Sequence, residues 1–148
     1  MFWTLVVSIY EVVVMKKKRQ RRKDNMGMIG YTTLGTNDLE KATAFYDALF
    51  KDLGLKKIIP NDRLVLWSSK AGAAMLGIIK PFDGEAATSG NGSMVALLVD
   101  DTETVAKLHA NALELGGVNE GAVGPRGGMT FGYFRDLDSN KLAVYAMN

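Results

Sequence analysis

The feature that most constrains this 148-residue chain is a weak internal repeat. When residues 31–53 are set over residues 94–116, at an offset of 63, Leu34 falls on Leu97, Asp38 on Asp101, Glu40 on Glu103 and Phe45 on Leu108. Few identities are exact, but each copy has the same plan: a short β-like run, an acidic helix start, an amphipathic stretch and a glycine stop. A repeated unit of this size cannot bury its apolar face alone, so the copies must pack on one another.

The first helix is expected from about Asp38 to Leu53. Leu39, Ala42, Phe45, Tyr46, Leu49, Phe50 and Leu53 step by three and four into one stripe. Asn37 with Glu40 forms its N-terminal capping pair, and Gly54 ends it. The second helix is expected from about Thr102 to Leu115, with Val105, Leu108, Ala112 and Leu115 as its stripe. Asp100 and Glu103 cap it, and Gly116-Gly117 ends it. Strand-like runs follow each helix at Leu55–Ile59, Arg63–Ser68 and Ala73–Lys80, then at Asn119–Val123, Thr130–Arg135 and Lys141–Met147. The fold class is therefore α+β: two paired β-α-β-β-β modules, about 28–80 and 93–148. They form a curved sheet with helices outside and a hollow inside. Residues 81–92, PFDGEAATSGNG, read as a flexible polar joint.

Residues 1–27 stand apart. An apolar run, FWTLVVSIYEVVVM, is followed by KKKRQRRKD. The apolar run is too short and too charged for a membrane-spanning helix, and its positive charge follows rather than precedes it, unlike a secretory signal. An upstream extension outside the fold is the favoured reading. A membrane-surface anchor and a nucleic-acid or nuclear-targeting tail are the alternatives. Beyond this segment there are eleven basic and fourteen acidic residues, a balance of −3. That excludes a broad basic surface for nucleic acid. The absence of cysteine excludes disulfides, thiolate metal sites and a cysteine nucleophile, and fits a cytoplasmic location.

Three motifs on this repeat carry a resemblance. TNDLEKATAFYDALFKDLGL at 36–55, ALLVDD at 96–101 and YFRDLDSNKLAVY at 133–145 occur in order. From Met28 to Asn148 the chain resembles the glyoxalase/bleomycin-resistance/dioxygenase (vicinal oxygen chelate) superfamily. The resemblance implies a divalent metal held by the first, fourth, fifth and eighth strands. Carried over, those positions are Tyr31, Leu76, Met94 and Ala143, which supply no workable ligand set. The one histidine, His109, lies at the edge of the second helix's apolar stripe and reads as a helix-flank residue. No metal and no other cofactor is expected. The resemblance also implies a homodimer that pairs modules across a two-fold axis.

Strand alternation fills the hollow instead. If Leu34 and Leu97 pack beneath the helices, then Tyr31, Thr33, Met94, Ala143 and Tyr145 face the hollow. Trp67, Met75 and Tyr133 are neighbours whose facing the sequence leaves open. These seven candidate ligand residues, Tyr31, Thr33, Trp67, Met75, Met94, Tyr133 and Tyr145, suit a flat or apolar small organic molecule. Tyr31, Met94 and Tyr145 are expected to line one cavity. Gly127, Gly128 and Gly132 lie beside it and either leave room or mark a β-bulge or turn. Asp136 and Asp138 read as hairpin-turn residues with Arg135 as their surface partner, and Asp83 and Glu85 lie in the joint. The leading reading is a metal-free small-molecule-binding protein without a nucleic-acid or membrane partner, the N-terminal extension aside. A lyase, isomerase or dioxygenase-like enzyme with a non-standard site, and a structural or regulatory dimer with a filled hollow, are the alternatives.

Overall fold

The computed structural model describes residues 14–16 and 28–148. Apart from residues 14–16, the N-terminal extension and its three readings lie outside the described residues. No helix of the described residues is long and apolar enough to cross a membrane.

The chain runs β1 (Tyr31–Gly35), α1 (Leu39–Leu49), β2 (Lys56–Asn61), β3 (Leu64–Ser68) and β4 (Met75–Ile79). It then repeats the plan as β5 (Val95–Leu98), α2 (Thr102–Glu114), β6 (Val118–Arg126), β7 (Met129–Arg135) and β8 (Lys141–Met147). Each module carries its own four-stranded mixed sheet, in the orders β1-β4-β3-β2 and β5-β8-β7-β6. The opening strand pairs parallel with the closing one in both (Leu34 with Ile78, Leu97 with Val144), and the remaining pairs are antiparallel. The repeat in sequence is thus a repeat in topology.

Local chemistry sets the helix ends. The Asp38 carboxylate, not Asn37, caps α1 by accepting from the Lys41 amide, and Asp101, not Asp100, caps α2 by accepting from Thr104. A capping side chain reaches the third helical amide, and these two residues stand at that distance. Asn37 makes a different contact: its side-chain amide donates to the Ala87 carbonyl and accepts from the Ala87 amide. The segment expected to be a flexible joint is therefore pinned against the end of β1. The Ala87 side chain lies where a Cβ on Gly35 would stand, so Gly35 makes room for that crossing. β6 is longer than its sequence suggested because it is an edge strand, where Pro125 costs no ladder hydrogen bond and glycines absorb register shifts.

One core joins the modules. Leu34, Val65, Trp67, Leu76 and Ile78 of the first sheet meet Ala42, Phe45, Tyr46 and Leu49 of α1. Phe134, Leu142, Val144 and Ala146 of the second meet Val105, Leu108 and Ala112 of α2. Between them lies a polar knot. Asp136, 5% exposed, accepts from the Tyr46 hydroxyl at 2.7 Å and from the Asn140 side chain and the Asn140 and Asp138 amides at 2.8–3.0 Å. Asn140 also donates to the Gly35 carbonyl, and Thr36 donates to Asp138 at 2.6 Å. The turn residues Asp136 and Asp138 are therefore the bolt between modules. Arg135, expected to pair with them, instead forms two hydrogen bonds with Glu120.

Burial first, and the Asp136 charge second, hold the Tyr46 hydroxyl well above the ordinary phenol range. In the unfolded chain this phenol ionises near pH 10. Its contribution to stability is complete below that pH and is lost as pH rises toward the higher folded value. The Tyr46→Phe variant is expected to lose about 1.5–3 kcal/mol near neutrality, the range for hydrogen bonds to charged groups. It is also expected to lose stability less steeply above about pH 10. Urea unfolding across pH, with unchanged m-value, checks both.

Candidate functional site

Because the helices cover one face of each sheet, strand register fixes what lies on the other, the open face. In the second module two rows cross that face. One runs Leu98, Tyr145, Phe131 and Gly124; the other runs Ala96, Ala143, Tyr133 and Gly121. The rings of Phe131 and Tyr133 lie 5° from parallel with centroids 5.6 Å apart, and those of Phe131 and Tyr145 lie 11° from parallel at 5.0 Å. These three half-buried rings form a ladder outside the buried core. A Cβ on Gly124 would meet nothing within 4 Å, so β6 puts no side chain beside Phe131. Ala96, which is exposed, and Ala143, which is fully buried, are the small residues next to the two tyrosines.

Charge is concentrated at the same place. The Arg126 guanidinium lies 5.2 Å from the Tyr133 ring centroid, and the Lys141 ammonium lies 5.7 Å from it. Arg135 holds Glu120 through two hydrogen bonds of 2.7 and 3.0 Å, and Lys141 approaches the same carboxylate at 3.7 Å. The Arg135 hydrogen bonds are the main reason the Glu120 carboxyl sits below its ordinary range, so it is ionised at neutral pH.

The seven candidate ligand residues separate into groups. Tyr133 and Tyr145 stand in the ladder. Tyr31, 59% exposed, and Thr33 lie on the open face of the first sheet, and Met75, level with Tyr31, shares it. Trp67 lies on the other face: it packs on Tyr46 and Phe50 and donates to Asp47. Trp67, Met75 and Met94 also border a cavity of about 530 Å³ between the modules, with Thr32, Leu76 and Leu97; neither Tyr31 nor Tyr145 lines it. Phe131, Arg126, Lys141 and Glu120 escaped the sequence reading. The period-two spacing of Phe131 and Tyr133 was the available signal.

His109 faces the sheet and is buried, with Nε2 at 3.0 Å from the Tyr133 carbonyl. A carbonyl only accepts, so this nitrogen carries the proton. Gly132 accordingly lies under the helix rather than beside the hollow: a Cβ there would stand 3.0 Å from the His109 ring. Gly127 and Gly128, at φ 57° and 83°, form the turn between β6 and β7.

Among solved structures the chain is similar to a glyoxalase/bleomycin resistance protein from Albidiferax ferrireducens T118. The two share 32% identity at a TM-score of 0.76, over 82% of this chain and all of the other. The chain belongs to the glyoxalase/bleomycin resistance family. A glyoxalase/bleomycin resistance protein/dioxygenase family enzyme from Burkholderia phytofirmans PsJN shares the fold at 21% identity and TM-score 0.66, over 80% of this chain and 98% of its own. So does a lactoylglutathione lyase from Agrobacterium tumefaciens, at 23% and 0.60 over 82% and 94%. No protein-family model and no curated protein matches the chain.

The family's metal positions can now be tested on the strands. Leu76 points into the core beneath α1, leaving Met75 and Gly77 as the open-face residues of β4. A phenol, two thioethers, a glycine and the methyl of Ala143 do not make a donor set for a divalent cation that prefers imidazole and carboxylate. Among the described residues no three His, Cys, Asp or Glu side chains gather as ligands. The residues present do not fit the family's metal. Excess nickel, zinc or manganese is expected to leave the melting midpoint within about 1 °C, since a ligand that does not bind the native state cannot stabilise it. Stoichiometric metal retained through dialysis would contradict this.

Proposed function

We propose that this chain is a small-molecule-binding member of the family that holds a planar organic ligand on the open face of its second module, without a coordinating metal. One observation carries the reading: three near-parallel rings stand half-buried outside the core, with glycines opposite Phe131 and Tyr133. Core filling would put such rings under the helices, where Phe134 and Trp67 are. Rings left half in solvent have faces and edges to offer a flat ligand, and each such contact contributes about 0.5–1.5 kcal/mol beyond area burial. The family-typical positions offer van der Waals surface rather than donor atoms, which suits sequestration. A lyase or isomerase needs a group that exchanges protons in the site. Glu120, the carboxylate beside the ladder, is engaged by Arg135.

The same reading includes assembly as a homodimer. β1 and β5 are edge strands, and Ile29, Tyr31, Met94 and Leu98 on or next to them are 45–62% exposed. A two-fold partner would cover these edges, which otherwise invite uncontrolled pairing. Sedimentation at micromolar concentration is expected to give a dimer, and a monomer would count against this part of the reading.

The ligand surface is tested with a neutral planar probe, 2-naphthamide. Titration is expected to shift the ring resonances of Phe131, Tyr133 and Tyr145. Tyr145→Ala and Phe131→Ala are each expected to weaken binding by about 1–2 kcal/mol with the fold retained. Binding that leaves the ladder resonances unmoved would end the reading for this face.

A further inference from the structure

We infer that the ladder selects a planar aromatic anion, such as an aryl carboxylate, whose ring lies beside Ala96 against the half-exposed Tyr133 and Tyr145 and whose charge meets Lys141 and Arg126. The inference rests on the reading of the open face as a ligand surface and adds the ligand's charge.

Residues 28–148 are net acidic at −3, with eleven basic residues among them. Three of those eleven, Arg126, Arg135 and Lys141, nevertheless gather around one ring and one carboxylate. Their sum with Glu120 is +2. Arg135 is spent on Glu120, which takes two of its hydrogen bonds, while a third goes to the Ser139 carbonyl. Lys141 is held more loosely, at 3.7 Å with its side chain one-third exposed, and among the described residues Arg126 makes no ion pair. These two cations can still take up an anion.

The register sets the distances between rings and charge. On β8 Lys141, Ala143 and Tyr145 share the open side, two residues apart, so Lys141 and Tyr145 stand about 7 Å on either side of the buried Ala143. Tyr133 stands directly across from Ala143 and Ala96 lies on its other side. A ring one or two six-membered cycles wide spans the exposed edges of Tyr133 and Tyr145 and the neighbouring Ala96. A carboxylate on its edge then reaches the ammonium on one side and the guanidinium over Tyr133. A cationic ring would meet two like charges instead, and like-charge placement is how a site rejects a competitor.

The experiment compares three probes of one shape: 2-naphthoate, the neutral 2-naphthamide and the cationic 2-naphthylmethylammonium. With the full-length protein at low salt, naphthoate is expected to bind about tenfold tighter than naphthamide, the scale of one charge-assisted contact. The cation is expected to bind most weakly. Lys141→Gln and Arg126→Gln, both at exposed or partly exposed positions, should each weaken naphthoate more than naphthamide and so narrow the preference between them. Added salt should narrow the preference in the parent protein. Naphthamide or the cation binding at the ladder as tightly as naphthoate would overturn the anion assignment while leaving the ligand surface standing. So would an anion preference that survives both substitutions. Failure of all three probes to move the ladder resonances, as when a second copy covers the rings, would overturn the assignment and the ligand surface together.

Discussion

A buried carboxylate sets the geometry of this molecule. Asp136 is almost fully removed from water, and an ionised carboxylate there is tolerable only if its oxygens are filled with donors. Four donors fill them: one phenol from α1 and three N–H groups from the turn between β7 and β8. The phenol comes from the first module and the other donors from the second, so the interaction cannot form unless the modules are docked. Thr36 with Asp138, and Asn140 with the Gly35 carbonyl, extend the same junction to the end of β1. Removing one partner leaves a charge buried without its full set of donors, which costs more than the same hydrogen bond contributes on a surface.

With the modules bolted together, the helices and the apolar sides of both sheets are consumed by one core. What remains for chemistry is the open face, and there the strand period decides everything. In β7 the alternate residues Met129, Phe131, Tyr133 and Arg135 fall on it, and Thr130, Gly132 and Phe134 fall beneath the helix. His109 binds the carbonyl of Tyr133 from below while Arg126 and Lys141 approach the Tyr133 ring from above. The ladder is thus held from both faces of one strand. The family usually spends this face on metal ligands; this chain spends it on rings, methyl groups and cations.

The order of elements, the helix extents to within a residue or two at most ends, and the facing of Leu34 and Leu97 were legible in sequence because they follow from periodicity. Trp67 was not, because LVLWS is a continuous apolar run that reads equally well in either register. The length of β6 was hidden by Gly121, Gly124 and Pro125, residues that signal a break in a central strand and are tolerated at an edge. The role of Asp136 was hidden by distance, since its phenol partner lies 90 residues away. Arg135 was assigned to nearby acids when its partner lies across a strand pair whose register shifts twice. Phe131 was not legible beside Tyr133 and Tyr145 because its side chain carries no polar group to mark it, whereas the ladder needs the ring alone.

On the proposed reading, the open face holds an organic molecule where the family's fold usually holds a metal. Native mass spectrometry of the full-length protein, as purified from cells and without added ligand, tests it most directly. A small organic mass is expected, bound without accompanying metal, released on mild activation and diminished in the Tyr145→Ala variant. A stoichiometric divalent cation on the intact protein, or an organic mass that persists unchanged in that variant, would contradict it.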